Sequence, residues 1–583
     1  MHKGVRLAAI SALSVSLAGC YLRDPVPFDP RSLQRSETTA AADARQQYFT
    51  ALPTSLESID ATSQPTSNPT SMSAGRRRRM LAPTTRATTG PSMGDVPTIR
   101  VPLQELIHRT AMNSLETRVA GYDAAVSKTR ILEAQAHYDP VFFSKTTYTD
   151  QKVLSPSSGI LPGVNPFQPE IFRTIDAQVG VRQNLPSGGQ AEIHYDVQRI
   201  QRVPIQASEL NPYTVNDLAL QITQPLLREF GYEVNWARIT LARNDYKVSI
   251  LDLRKTLEEN LAEIERDYWQ LVEAEQEEKI QEDLLTLSRD TYRILVERIG
   301  VDVSRVQLRQ AKTTIDSRAA VLVRAKARIL DISDNIKRRM NDPEFPVSSE
   351  VVILPEVPSE EIPVHFDLQD QVATALANRF ELGQQAIREE SASVAMMVAK
   401  NNLLPKLEVI GTLDVQGPGK DFSHSFQNQG RSDFLGASIG FSFEWPLGNR
   451  EARAIYRRGV LQRLQAMTQY AFLVAQVTED VKTAWREVET TWNEIGARRE
   501  ARFDAADALK ALEDRREEGA PLDPTNVQLI LDAQERLGDA QREEALAVAS
   551  YYVAIARLER AKGTLLRYDN VVMEEEPFMG MDR

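Results

Sequence analysis

Residues 103–140 and 368–405 share a set of residues at a constant offset of 265 positions. Leu103-Gln104 recurs as Leu368-Gln369, Asn113 as Asn378, Glu116 as Glu381, Ala134 as Ala399 and Pro140 as Pro405. In each copy apolar residues at helical spacing run into a proline, which disfavours helical geometry in the residue before it, and alternating apolar and polar residues follow. A repeat on this scale has to be settled before domains are counted in a chain of 583 residues. The economical reading is one large unit built twice, not four unrelated domains.

The alternating runs are strand candidates. Ile175, Ala177, Val179 and Val181 fall on one face with Asp176, Gln178 and Arg182 opposite; Ala191, Ile193, Tyr195 and Val197 oppose Glu192, His194, Asp196 and Gln198; Leu218, Leu220 and Ile222 oppose Gln221 and Thr223. Between the first two runs, Asn184-Leu185-Pro186-Ser187-Gly188-Gly189 supplies turn residues. With a weaker run at 141–149 the first copy has up to four strands. The second has two, near 407–415 and 434–445, and there Ile439, Phe441, Phe443 and Trp445 alternate with Gly440, Ser442 and Glu444.

After each strand region the period changes. Leu257, Leu261, Ile264, Tyr268 and Leu271 recur at steps of four and three, the seam of a coiled coil, within a helix expected over 232–297. Roughly 65 helical residues span about 100 Å, far more than a globular core needs. Gly300 breaks this helix and a return helix is expected over 304–340. In the second copy Val481, Trp485, Val488, Trp492 and Ile495 mark the seam of a helix from 450 to 517, the segment from Gly519 to Pro524 breaks it, and a return helix runs to 567. Pro225 and Gly300 lie 75 positions apart and Pro446 and Gly519 lie 73 apart, so the two hairpins are nearly equal.

The only cysteine, Cys20, closes a stretch with Lys3 and Arg6 at its start and apolar and small residues up to Leu17-Ala18-Gly19. That is the layout of a secretory signal, and its ending resembles a bacterial lipobox, in which the cysteine becomes the lipidated first residue of the mature chain and carries palmitate. Tyr21 follows it instead of Asp, the pattern that lets such an anchor travel to the outer membrane. Residues 21–98 are rich in Ser, Thr, Pro and Arg without apolar periodicity, a composition that cannot bury enough surface to offset its ordering entropy. We read them as a tether, and Arg76-Arg77-Arg78-Arg79 within it as a solvated charge cluster.

No stretch after the signal approaches the roughly 18 to 20 apolar residues that a spanning helix needs, so any crossing of a membrane falls to strands. Strands with one apolar and one polar face suit a barrel wall with lipid outside and water inside. Edges cannot be left unpaired in a bilayer, so a few strands per chain have to be closed by other copies, which predicts an oligomeric barrel. A soluble sandwich with one wet face would show the same alternation.

The chain resembles the TolC family of outer-membrane efflux proteins over residues 100–570. The residues that carry the resemblance are Leu103-Gln104-Glu105 and Leu368-Gln369-Asp370, Ala377-Asn378-Arg379-Phe380-Glu381-Leu382, Ala399 to Pro405, Gln224-Pro225-Leu226-Leu227-Arg228, the run from Arg298 to Val303, and the run from Ala556 to Leu565. The resemblance implies a mixed α and β membrane protein: a homotrimer whose β-barrel, closed by trimerisation, is continued into the periplasm by an α-barrel of long coiled-coil hairpins. It implies docking on a periplasmic adaptor protein and an inner-membrane transporter. The pore tip and adaptor contact are then Gly300, Val301, Asp302, Val303, Ser304 and Arg305 together with Gly519, Ala520, Pro521, Leu522, Asp523 and Pro524. The expected organisation is a signal peptide (1–20), the tether (21–98), a first unit (99–345, strands 141–224, hairpin 230–340), a second unit (346–570, strands 407–445, hairpin 450–567) and a tail (571–583). One departure is expected: the turn at 184–189 adds a strand pair, so each chain either contributes six strands instead of the family's four or projects a pair beyond the bilayer.

Other chemistry finds little footing. The histidines at 2, 108, 137, 194, 365 and 424 include no pair at metal-ligand spacing, and His194 reads as a lumen residue. Gly417-Pro418-Gly419-Lys420 lacks the Ser or Thr of a phosphate loop and reads as a surface loop between strands. Glu258-Glu259 and Glu277-Glu278 read as solvated coiled-coil faces. A net charge of −12 gives no reason to expect nucleic acid. We expect no enzymatic activity, no metal and no cofactor. The competing function class is a structural envelope lipoprotein whose coiled coil braces membranes without a pore.

Overall fold

The computed structural model describes residues 97–156, 167–203, 210–301, 303–356, 363–431, 434–519 and 521–573. Cys20, the signal, the four arginines of the tether, Asp302, Ala520 and the tail beyond 573 lie outside them. The elements below all belong to one unit of the chain, 85–571.

β1 (Thr98–Val101) leads into α1 (Leu103–Asn113) and α2 (Leu115–Gln135). These are two helices because Ser114, at ψ 128, leaves helical geometry between them. Four strands follow: β2 (Val141–Pro156), β3 (Phe167–Asn184), β4 (Gln190–Val203) and β5 (Tyr213–Pro225). The 66-residue α3 (Tyr232–Glu297) and α4 (Arg305–Met340) form the first hairpin. After β6 (Val352–Pro355), α5 (Leu368–Asn378) and α6 (Phe380–Asn401) start 265 positions after α1 and α2 and are likewise separated by one extended residue, Arg379. Then come β7 (Lys406–Gly419), a short α7 (Phe422–Gln429), β8 (Phe434–Glu444), the 68-residue α8 (Arg450–Glu517), α9 (Pro524–Lys562) and one turn of helix, α10 (Leu565–Tyr568).

β1 and β6 pair in parallel as a two-stranded clip. The other six strands make one antiparallel sheet in the order β2-β3-β4-β5-β7-β8. The turn at 184–189 therefore does insert a strand pair, and that pair lies within the sheet, with β3 bonded to β4 from Ile171–Val203 to Asn184–Gln190. Gly188 takes φ +91 in this turn, and a Cβ there would meet the Glu229 carbonyl, so only glycine fits.

The seam residues of α3 supply the core: Leu257, Leu261, Ile264, Tyr268 and Leu271 are all buried. In α8, Val481, Val488 and Ile495 are buried, and Trp485 and Trp492 pack against the same cluster. Trp269 and Tyr552 stack at 3.9 Å between the two hairpins. Nearer the sheet the helices lie side by side in the order α2, α3, α6, α8; nearer the hairpin ends the order is α4, α3, α9, α8. At about 1.5 Å per residue α3 and α8 each span about 100 Å. Among the described residues no helix is long and apolar enough to cross a membrane.

Candidate functional site in the two-faced sheet and the hairpin tips

The register sorts the side chains of all six strands onto two faces. Val179 stands opposite Ser144 and Tyr195, Tyr195 opposite Leu218, Leu218 opposite Val415, and Val415 opposite Leu435. The next alternate row joins Phe142, Val181, Ile193, Leu220, Leu413 and Ala437 in the same way. Every apolar run found in the sequence falls on this face, and it is open: Ile439 is 76% exposed and Phe441 73%. From Leu435 on β8 to Trp445 just past its end the stripe runs about 34 Å, which at a tilt near 45° stands about 25 Å tall, the height of the apolar band on outer-membrane barrels.

The opposite face carries Asp176, Gln178, Glu192, His194, Asp196, Asp217, Gln221, Thr412, Asp414, Ser438 and Ser442, with apolar residues, among them Phe143, Phe172, Ile200, Val215 and Ile410, interspersed. His194 sits here, with Nδ1 3.2 Å from Glu192 and Nε2 3.6 Å from Asp196. Carboxylates on three neighbouring strands, Asp196, Asp217 and Asp414, give this face a negative field. Among the described residues no group of side chains is arranged to hold a metal.

The sheet has two free edges, β2 and β8, and each edge strand joins an edge helix. α2 precedes β2 and presents Leu115, Val119, Tyr122 and Val126, all more than half exposed, at spacings of four, three and four. α8 follows β8 and presents Leu461, Leu464 and Phe472, also more than half exposed. Both layers thus end in unpartnered surface on the same two sides.

At the far end of the hairpins the two breaks meet. Val303 and Leu522 are buried together with Leu295, Ala311, Val527, Ile530 and Leu531. Ser304 caps α4 in a reciprocal capping box with Gln307, and the Gln307 amide donates to the Leu522 carbonyl at 2.9 Å. Asp523 accepts from the Asn526 N–H at 2.7 Å and Pro524 takes the first helical position of α9, where its missing N–H costs nothing. Gly300 and Gly519 turn the chain with φ of 85 and 95. Val301 is left 83% exposed, and Arg305 and Pro521 are exposed beside it. Of the twelve tip residues named from the sequence, ten are described, and the structure brings the two groups into one cluster.

Three sequence readings change. Glu258 and Glu277 are buried, not solvated, while Glu259 and Glu278 beside them are half-buried. Burial pushes the Glu258 carboxyl up to about 8, against the pull of Arg379 and the Leu565 N–H that it accepts. Gly417-Pro418-Gly419 is not a loop: it is the last part of β7, overlaid by α7. A buried residue that the sequence did not single out is Arg318 of α4. Its guanidinium donates to the Leu284 carbonyl at 3.1 Å, to Gln534 at 3.2 Å and to the Ser288 hydroxyl, so it ties α4 and α3 to α9, and burial pulls its pKa below the ordinary range.

No protein-family model matches the sequence, and no curated protein matches it. Solved structures do match by fold. The outer membrane protein VceC of Vibrio cholerae aligns with 79% of this chain and 96% of its own, with a TM-score of 0.57 and 16% identity. The CmeC outer membrane channel of Campylobacter jejuni aligns over 84% and 94%, with a TM-score of 0.56 and 15% identity. The MtrE outer membrane channel of Neisseria gonorrhoeae aligns over 83% and 96%, at 0.56 and 15%. This chain has the fold of those channels.

Proposed function

We propose that this chain is one subunit of an outer-membrane channel of the TolC type, a homotrimer that conducts substrates out of the periplasm as part of a tripartite efflux or secretion system. The observation that carries the reading is the coincidence of free edges. β2 and β8 leave unpaired backbone, and α2 and α8, which adjoin them, leave apolar stripes on the same sides. A second copy placed against one side satisfies both layers at once, β8 to β2 and α8 to α2. Such a head-to-tail contact makes a ring when the rotation closes. The trimer is favoured by the likeness to known outer-membrane channels, and six strands from each of three copies make an eighteen-stranded wall, in the range where barrels leave an aqueous channel. The inserted pair β3-β4 belongs to that wall in this reading, since its apolar face continues that of its neighbours.

The apolar face meets lipid, the polar face lines the lumen, and the hairpins continue the conduit into the periplasm. The tip cluster, with Val301, Arg305 and Pro521 outermost, meets the periplasmic adaptor and through it an inner-membrane transporter. Cys20, as the lipidated first residue of the mature chain, adds an anchor. A brace without a pore would need the hairpins but no two-faced sheet.

Two experiments test this. Purified full-length protein added to a planar lipid bilayer should give discrete, repeated conductance steps; an oligomer that inserts and passes no current contradicts the channel. A cysteine at Val301 should cross-link to an adaptor, whereas cross-linking only from exposed mid-helix positions such as Glu489 would overturn the docking assignment.

A further inference from the structure

The strands alone do not account for α7. This eight-residue helix lies on the outward, apolar face of the sheet, at the end of β5 and β7 farthest from the long helices. The side on which it lies follows from the glycines beneath it. A Cβ on Gly417 or Gly419 would point to the face that carries Val415 and Leu413, and would collide there with the Ser425 backbone.

The helix is fastened by its polar residues. The Ser425 hydroxyl accepts from the Asn216 N–H at 2.9 Å and donates to the Gly417 carbonyl, so it stands between two strands that face each other at that row. The Gln429 amide donates to the Val415 carbonyl at 2.7 Å and its oxygen accepts from the Tyr195 hydroxyl at 3.1 Å. Asn428 donates to the Pro418 carbonyl at 2.8 Å. Thr214 and Asn216, the polar residues that interrupt the apolar face of β5, are buried beneath it.

What α7 turns away from the sheet is an aromatic pair flanked by the exposed polar side chains of Ser423, His424 and Gln427. Phe422 and Phe426 stand one helical turn apart with rings stacked at 6.3 Å, and they are 53% and 58% exposed. The apolar rows of the sheet end at Leu218, Val415 and Leu435, and α7 begins at the next alternate row outward. β8 lies between β7 and the free edge, so a copy joined edge to edge is not brought onto α7.

We propose that α7 is an interfacial anchor: Phe422 and Phe426 seat in the boundary between acyl chains and headgroups of the outer leaflet and fix the depth of the barrel. This rests on the channel reading given above. It follows from continuity with the lipid-facing band and from the preference of aromatic side chains for that boundary, where short amphipathic helices lie flat. Ser425, Asn428 and Gln429 are satisfied by the strands, and Ser423, His424 and Gln427 are left to the polar headgroup side of that boundary. The aromatic pair is thereby held outward.

The test is photo-cross-linking of the full-length channel in its native membrane. A benzophenone amino acid replaces Phe422, Phe426 or, as a control in the middle of the band, Ile439. Adducts with lipid at all three positions are expected. A lipid adduct at Ile439 together with Phe422 and Phe426 adducts only to a second copy, or none at all, overturns the anchor and leaves the channel standing. Absence of lipid at Ile439 as well overturns both. As a second measure, Phe422→Ser with Phe426→Ser should lower the fraction of protein that resists extraction from membranes by carbonate, by severalfold, while the ring remains intact; unchanged extraction overturns the anchor.

Discussion

Glu258 shows how a single residue can be misread from sequence. In the pair Glu258-Glu259 nothing local says which carboxyl is buried; that is decided when α10 closes over α3 and the Leu565 N–H reaches Glu258. Glu265 and Asp569 lie in the same seam, and burial holds both above the usual carboxylate range, with Asp569 adding to the rise of Glu265 and Glu559 to that of Asp569. Raised carboxyl pKa values mean that the folded protein keeps protons that the unfolded chain gives up above 4.5, so this seam is most stable at low pH and loses stability as pH rises through about 8. We predict that the unfolding temperature of the solubilised protein falls between about pH 6 and pH 9, and that Glu258→Gln makes that fall shallower. An unchanged slope would contradict the assignment. At the tips the sequence was more candid. Ser304 with Gln307 is a capping box spelled out by its spacing, and Ser304→Ala should cost about 1 kcal/mol, read as a lower unfolding midpoint.

At the scale of elements, alternation along the strands is itself the functional signal. Reversing it on one strand gives a contrast that stability alone cannot mimic. Phe441→Arg on the apolar face should cost about 2 to 4 kcal/mol in a membrane-folded barrel, while Ser442→Arg one residue along should be tolerated. Equal costs, measured by denaturant unfolding in lipid, would mean that neither face meets lipid. The six strands and the four long helices could be read from periodicity because each is many residues long and buries or exposes one consistent face. α7 could not. Phe422 and Phe426 mark one turn of helix, but eight residues give too short a window, and the glycines and proline before it have the composition of a loop. Those glycines are in the strand because a helix lies on them, a contact between segments that no local pattern reports. Arg318 escaped for the same reason: its partners Leu284, Ser288 and Gln534 come from two other helices. Replacing it with Met leaves Gln534 without its donor and should lower stability by roughly 1 to 3 kcal/mol.

For the whole molecule, the two helix pairs that start 265 positions apart are each followed by strands and a hairpin, and the fold brings both sets into one sheet and one helical layer with matching free sides. In the proposed ring, closure depends on both layers, so a charge on the α2 stripe should weaken assembly without touching the sheet. Val119→Asp with Tyr122→Asp is predicted to shift the detergent-solubilised protein from the ring toward single chains in light scattering, and an unchanged mass would contradict the pairing of α2 with α8. In the proposed channel one face of the sheet meets water and the other lipid, and conductance through inserted channels distinguishes the two faces. With Ser442→Cys, a charged methanethiosulfonate added from the aqueous phase should change the single-channel current. With Phe441→Cys, as with the unaltered chain, it should not. Modification at Phe441→Cys and none at Ser442→Cys would show that the wall faces the other way.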